Sequence, residues 1–350
     1  MDKAQVVGAA INRDRYDIAV EIVDAAIHAT PREFTESSLT RERLLEYALH
    51  DISKLFVAII SNRPSIFRKY VEWQRSMFLH RHIPMMVVRR HLEALESIVL
   101  RRLDPEGAEI VRAIIAEAYA GLDSILSEDL TYLDPEAPLY GVASRYLELL
   151  RNRHASEAIE TVLHAVDEGL PILRVYLEVI QPVQHEVGRL WQRNELTVSE
   201  EHYATDATRT LMSRLRGRFT PVERRGISIL TACLGGELHD IGARMVSDFF
   251  ELSGFDSYFT GANTPHDQIV EEIHRHNPQV LALSATMTLQ VRLAYELIDQ
   301  VRREFDQDVH ILVGGYAFNE NPGLWTDVGA DSFAPNAQDA IVMLDERFQR

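Results

Sequence analysis

Residues 233–242 read CLGGELHDIG and set a carboxylate (Glu237) two positions before an imidazole (His239). The stretch follows the apolar run GISILTAC and precedes a helix-like run, so its glycines stand where a phosphate-cradling loop belongs. The chemistry differs from that of such a loop. The dinucleotide fingerprint needs G-x-G-x-x-G and the P-loop needs G-K-[ST], and Gly235-Gly236-Glu237-Leu238-His239-Asp240-Ile241-Gly242 offers neither. A neutral imidazole that binds a metal through one nitrogen, its other N–H held by an acid, accounts for both residue types. Only one histidine lies in the loop, so the metal's remaining ligands come from elsewhere. A macrocycle with four equatorial nitrogens meets that need.

These residues need a scaffold, and the chain has 350 residues to build it, enough for two or three cores. The composition is that of a globular protein, 46% hydrophobic and 25% charged. A net charge of −17 argues against nucleic acid or an anionic membrane as partner. No segment reads as a signal peptide or a bilayer span, and a cytoplasmic location is expected. The single Cys233 excludes an intrachain disulfide and a multi-cysteine metal site.

The predicted class is α plus α/β in three blocks. Residues 226–350 alternate short β-rich runs (ISILTA, VLALSA and VHILVGG, with SYFTG and DSFAP weaker) with amphipathic helices. Five βα units predict a flavodoxin-like, doubly wound parallel sheet, whose ligands lie beyond the strand C-termini where strand order reverses. Residues 139–219 predict a four-helix bundle: Ile159, Val162, Leu163 and Val166 follow helical spacing, as do Ile180, Val183, Val187 and Trp191, with a kink at Pro182. Thr197 and Glu200 have capping-box spacing, which puts Glu201 and His202 in the first turn of the fourth helix, a short loop away from Trp191. Residues 1–130 are helical throughout, with Asp104-Pro105 as a helix start.

With these elements in place, the last block resembles the cobalamin-binding domain of methionine synthase and related corrinoid proteins. The family signature D-x-H-x-x-G, then S-x-L, then G-G is met by Glu237-x-His239-x-x-Gly242, Ser284-Ala285-Thr286 and Gly314-Gly315. Glu237 replaces Asp and Thr286 replaces Leu, the larger departure. The resemblance implies that His239 is the lower axial ligand of cobalt and that the nucleotide tail passes Ser284 and the Gly314-Gly315 turn. It makes the bundle the cap over the upper face of the corrin.

Within the cap, Trp191, nine residues, then Glu201-His202 resembles the W-x9-E-H pattern of the CarH-type adenosylcobalamin photoreceptors. By that resemblance, Trp191, Glu201 and His202 hold the adenosyl group, although Gln192 stands where an upper-ligand histidine is often found. The N-terminal block differs from a winged helix and resembles the photocobilin layout. His80, His82, Arg89 and His91 are then candidates to hold non-covalent biliverdin, with an amphipathic helix or a haem site as other readings. The leading expectation is a light sensor with no enzymatic site, binding adenosylcobalamin and biliverdin. Photolysis would change its cap packing and homo-oligomeric state to control an effector. The alternative is a corrinoid methyl carrier for a methyltransferase system.

Overall fold

The structure, a computed structural model, describes residues 3–36, 39–123, 130–305, 309–321 and 323–348. Its chain forms two units, Met1–Glu128 with Gln192–Asn194, and Asp129–Trp191 with Glu195–Arg350.

The first unit is helical: α1 (Lys3–Arg13), α2 (Arg15–Ala29), α3 (Pro31–Glu36), α4 (Arg41–Ile60), α5 (Pro64–His80), α6 (Met85–Leu100) and α7 (Pro105–Asp123). Helix α7 begins at Pro105, and the Gly107 N–H donates to Asp104 Oδ1 at 2.9 Å, as the Asp-Pro signal predicts. The core is built from Ile18, Ile22, Ala48, Ile52, Leu55, Leu95 and Val111, each on the apolar stripe of its helix.

The second unit opens with a helical cap: α8 (Tyr140–Arg151), α9 (Ala155–Asp167), then α10 (Ile172–Val175), a π turn (Tyr176–Ile180) and α11 (Gln181–Gln192) in one run, and α12 (Val198–Arg216). The π turn answers Pro182. Proline lacks the N–H that would close a regular turn, and the Gln181 N–H reaches back five residues to Tyr176 O instead. Helix α12 starts with the predicted capping box, Thr197 accepting from Glu200 N and Glu200 from Thr197 N.

The sheet layer follows as β1 (Ser228–Cys233), α13 (Ile241–Leu252), β2 (Asp256–Phe259), α14 (His266–His276), β3 (Val280–Ser284), α15 (Thr288–Glu304), β4 (His310–Gly314), α16 (Tyr316–Asn319), α17 (Leu324–Asp327), β5 (Ser332–Phe333) and α18 (Ala337–Phe348). All pairings are parallel, in the order β2-β1-β3-β4-β5. Strand order therefore reverses between β1 and β3, which places the ligand crevice at their C-terminal ends. Register aligns Cys233 with Ser284 and Ser284 with Gly314, so three residues of the motif region form one row along that edge.

Cap and sheet layer meet at a buried carboxylate. Asp248 on α13 has no exposed side-chain surface; it accepts from the Tyr176 hydroxyl at 2.7 Å and pairs with Arg216 and Arg244. Burial holds its pKa above the usual carboxylate range even against these partners. Tyr176→Phe removes one donor from a buried charge. It is expected to lower stability by about 2 kcal/mol, read as an earlier denaturant midpoint of the full chain; an unchanged midpoint would show the hydroxyl to be dispensable.

Candidate functional site

The loop after β1 is built to hold one imidazole. Glu237 has no exposed side-chain surface, and its Oε1 accepts both the His239 N–H at 2.9 Å and the ring Nδ1–H at 2.7 Å. Its Oε2 accepts the Thr286 N–H from the end of β3 at 2.6 Å. Burial pushes the Glu237 carboxyl up, but the bonds from the His239 ring and from the two backbone N–H groups outweigh it and leave the group ionised below its ordinary range. The His239 side chain is 62% exposed. Its hydrogen bond to Glu237 raises its pKa against the opposing effect of burial, and Glu201 and Asp240 add to the shift. Nδ1 is thus committed to the acid, and Nε2 is the nitrogen left for a metal.

Neighbouring segments set the loop. The Asn263 side chain accepts from Gly236 N at 2.7 Å, and the Asn263 N–H donates to Glu237 O at 2.8 Å. From the cap, Arg209 grips Asp240 Oδ1 through Nη2 at 2.6 Å and Nε at 3.1 Å. Gln290, in the first turn of α15, is buried with no partner for its Oε1 among the described residues. Sequence reading missed all three. An asparagine in the turn GANTP is at most a turn signal, and neither Arg209 nor Gln290 breaks the pattern of its helix.

The glycines fit a cofactor that lies close to backbone. Gly315 has φ +96°, and a Cβ there would sit 2.5 Å from Ala285 O; one at Gly314 would sit 3.0 Å from Ala334 O. A Cβ on Gly242 would meet nothing within 4 Å, so the first turn of α13 presents bare backbone to open space. A corrinoid fits this donor set: one oriented imidazole, a row of small residues at the strand ends, and an open helix start.

The remaining expected residues are placed unevenly. Glu201 is half-buried, accepts from the Thr205 hydroxyl at 2.8 Å and lies close enough to His239 to shift it. Trp191 is partly buried against the bundle core. His202 is 73% exposed. In the first unit, His80 Nδ1 donates to Ser76 O at 2.8 Å, and His82 occupies a left-handed turn at φ +55°. Arg89 pairs with Asp123, and buried His91 sits with Nε2 2.7 Å from Asp51 Oδ2. Arg89 and His91 thus turn to different helices, α7 and α4.

Residues 142–216 and residues 227–344 each match a model described as a B12 binding domain. The chain is 28% identical over 205 residues to dimethylamine corrinoid protein 1 of Methanosarcina mazei, spanning 55% of this chain and 93% of that protein. It is 26% identical over 190 residues to monomethylamine corrinoid protein 2 of Methanosarcina acetivorans, spanning 52% of this chain and 86% of that protein. In fold, it superposes on the monomethylamine corrinoid protein of Methanosarcina barkeri with a TM-score of 0.53 at 22% identity, over 59% of this chain and 99% of that one.

These relatives overturn the light-sensing expectation, because the proteins this chain is similar to are named as methylamine corrinoid proteins. The residues of the photoreceptor pattern also have local roles: Trp191 packs against the bundle, Glu201 lies in the first turn of a capped helix, and His202 follows it. No helix among the described residues is long and apolar enough to cross a membrane. Two adjacent B12-domain matches, on a fold with an acid-held histidine at the strand-order reversal, make this chain a cobalamin-binding protein.

Proposed function

We propose that the chain is a corrinoid carrier protein working with a methyltransferase partner. The observation that carries this reading is the Glu237–His239 pair, which leaves Nε2 open at the sheet edge. The choice of methyl transfer rests on the methylamine corrinoid proteins, whose lengths this chain nearly spans. A bound corrinoid supplies a cobalt centre able to accept and donate a methyl group. The protein's own part is to orient and to cover. Glu237 fixes the tautomer and tilt of His239, Thr286 N–H fixes Glu237, and Arg209 ties the cap to the ligand loop through Asp240. On this reading, residues 139–219 and 226–350 form the carrier, and the bound corrinoid would carry methyl in place of the adenosyl group expected from Trp191, Glu201 and His202. Biliverdin is no part of this reading.

The test uses the full chain loaded with hydroxocobalamin, reduced, and given an isotope-labelled methyl donor. Label should stay with the corrinoid-loaded protein and pass to a thiol acceptor when a corrinoid-dependent methyltransferase is added. A loaded protein that takes no label, or never yields it, would overturn the reading.

A further inference from the structure

The sheet has two open edges, and they are finished differently. The β5 edge is two residues long and runs at once into Ala334-Pro335, a short, proline-stopped form that discourages pairing. The β2 edge, Asp256–Phe259, is twice that length and holds neither proline nor lysine. Its inner main chain is spent on β1: the Asp256 N–H donates to Ile227 O at 2.9 Å, and just past the strand the Thr260 N–H donates to Thr231 O at 3.0 Å. Main-chain groups alternate sides along a strand, so those of Ser257 and Phe259 point to the open edge.

A groove of about 330 Å³ runs along this edge. It is lined by every residue from Ser257 to Thr260, and side chains of one strand alternate between faces, so the groove lies beside the strand and spans both faces. Helices form its walls. The crossovers from β1 to β2 and from β2 back to β3 run in opposite directions, which puts α13 and α14 on opposite faces. Arg244 and Glu251 of α13 line one wall, and Glu272 and His276 of α14 line the other. Tyr258 lies between them, 39% exposed, with its ring centroid 4.0 Å from that of His276.

The charges on these walls are ordered. On α13 the base comes first, with Arg244 two turns ahead of Glu251. On α14 the acids come first, with Asp267, Glu271 and Glu272 ahead of Arg275 and His276. Laid beside itself in the reverse direction, each helix sets base opposite acid. A two-fold axis does this on both faces at once, and it also aligns two β2 edges antiparallel. A second copy of this chain therefore matches the groove in main chain and in charge.

We propose that the chain pairs with a second copy through β2, joining the two sheets into one. The axis passes at Tyr258, which faces Tyr258 of the second copy. Ser257 then lies opposite Phe259 of the second copy, and the two exchange both N–H···O bonds, as outward-facing residues of an antiparallel pair do. By symmetry the exchange occurs twice. The strand C-termini of the two copies point in opposite directions, and so do their His239 edges. This inference does not depend on the corrinoid-carrier reading.

The test is sedimentation of the full chain over a range of concentrations, with hydroxocobalamin uptake as the check on folding. Repulsion between chains of net charge −17 works against association, so the two-chain mass is expected from about 10 µM upward. Ser257→Pro removes an N–H that β1 does not use, and it should weaken pairing about a hundred-fold while uptake holds. Tyr258→Lys sets two like charges face to face on the axis and should weaken pairing with the main chain intact. Amide exchange at Ser257 and Phe259 should slow as the wild type associates. A one-chain mass up to about 100 µM would overturn the proposal. So would a two-chain mass that either folded variant keeps, or one that forms with no slowing of exchange at these amides. In each case the carrier reading is untouched.

Discussion

His239→Ala is expected to lower corrinoid retention by about two orders of magnitude or more, because it deletes the one protein nitrogen oriented for cobalt. The measurement is corrinoid bound per protein after desalting, together with the visible spectrum, which should shift toward that of a corrinoid with water in place of imidazole. Glu237→Gln is expected to have a smaller effect, about ten-fold to a hundred-fold. The amide keeps the shape of the loop, but it loses the charge that holds the imidazole and presents only one acceptor oxygen. Glu237→Ala would be a poorer test, since the Thr286 N–H would lose its partner as well and the β3 end would loosen. Retention and spectrum unchanged in His239→Ala would remove the basis for a histidine-ligated corrinoid in this chain.

A second large effect is expected at the glycines, in opposite directions at two positions. Gly315→Ala places a side chain at φ +96° and ψ 170°, a region open essentially to glycine alone, and drives its Cβ to 2.5 Å from Ala285 O. That oxygen already accepts the Ala317 N–H at 3.1 Å, and the Ala285 N–H is tied to Gly314 O at 3.0 Å, so the backbone there has little room to yield. The expected loss is about 3 kcal/mol, seen as a lower unfolding midpoint with weakened corrinoid uptake. Gly242→Ala should behave otherwise. It lies in a helix, where alanine is favoured by up to about 1 kcal/mol, and its Cβ meets nothing within 4 Å. Stability should hold or rise while corrinoid retention falls, because the added methyl fills space needed beside the helix start. A Gly242→Ala protein with full retention would show that this space is not part of the site.

The acid–histidine pair and the scaffold around it differ in how plainly the sequence shows them. Glu237 and His239 are two residues apart in one loop, so their contact is local and their spacing announces it. The same holds for the Thr197 capping box, for the Asp104-Pro105 helix start and for the strands ISILTA, VLALSA and VHILVGG. Each depends on neighbours within a few residues or on a period of burial. The π turn before Pro182 goes one step further. A missing N–H predicts a disturbance, but the five-residue reach of Gln181 to Tyr176 is seen only in the structure, where the Tyr176 hydroxyl also bonds Asp248.

The functional expectation failed for a related reason. A tryptophan near a helix end and an acidic residue near a helix start satisfy a binding pattern, and they also satisfy core packing and helix initiation. Spacing could not choose between them. The chain by itself determined its secondary structure, its sheet layer and the identity of the imidazole with its acid, because those follow from periodicity and from contacts between near neighbours. Only the tertiary structure decided that Cys233, Ser284 and Gly314 share a row, that Asn263 and Arg209 fix the ligand loop, and that Tyr132 is pinned by Glu186. Those pairs lie from about thirty to more than fifty residues apart. Strand order and layer packing bring them together, and no local period encodes either.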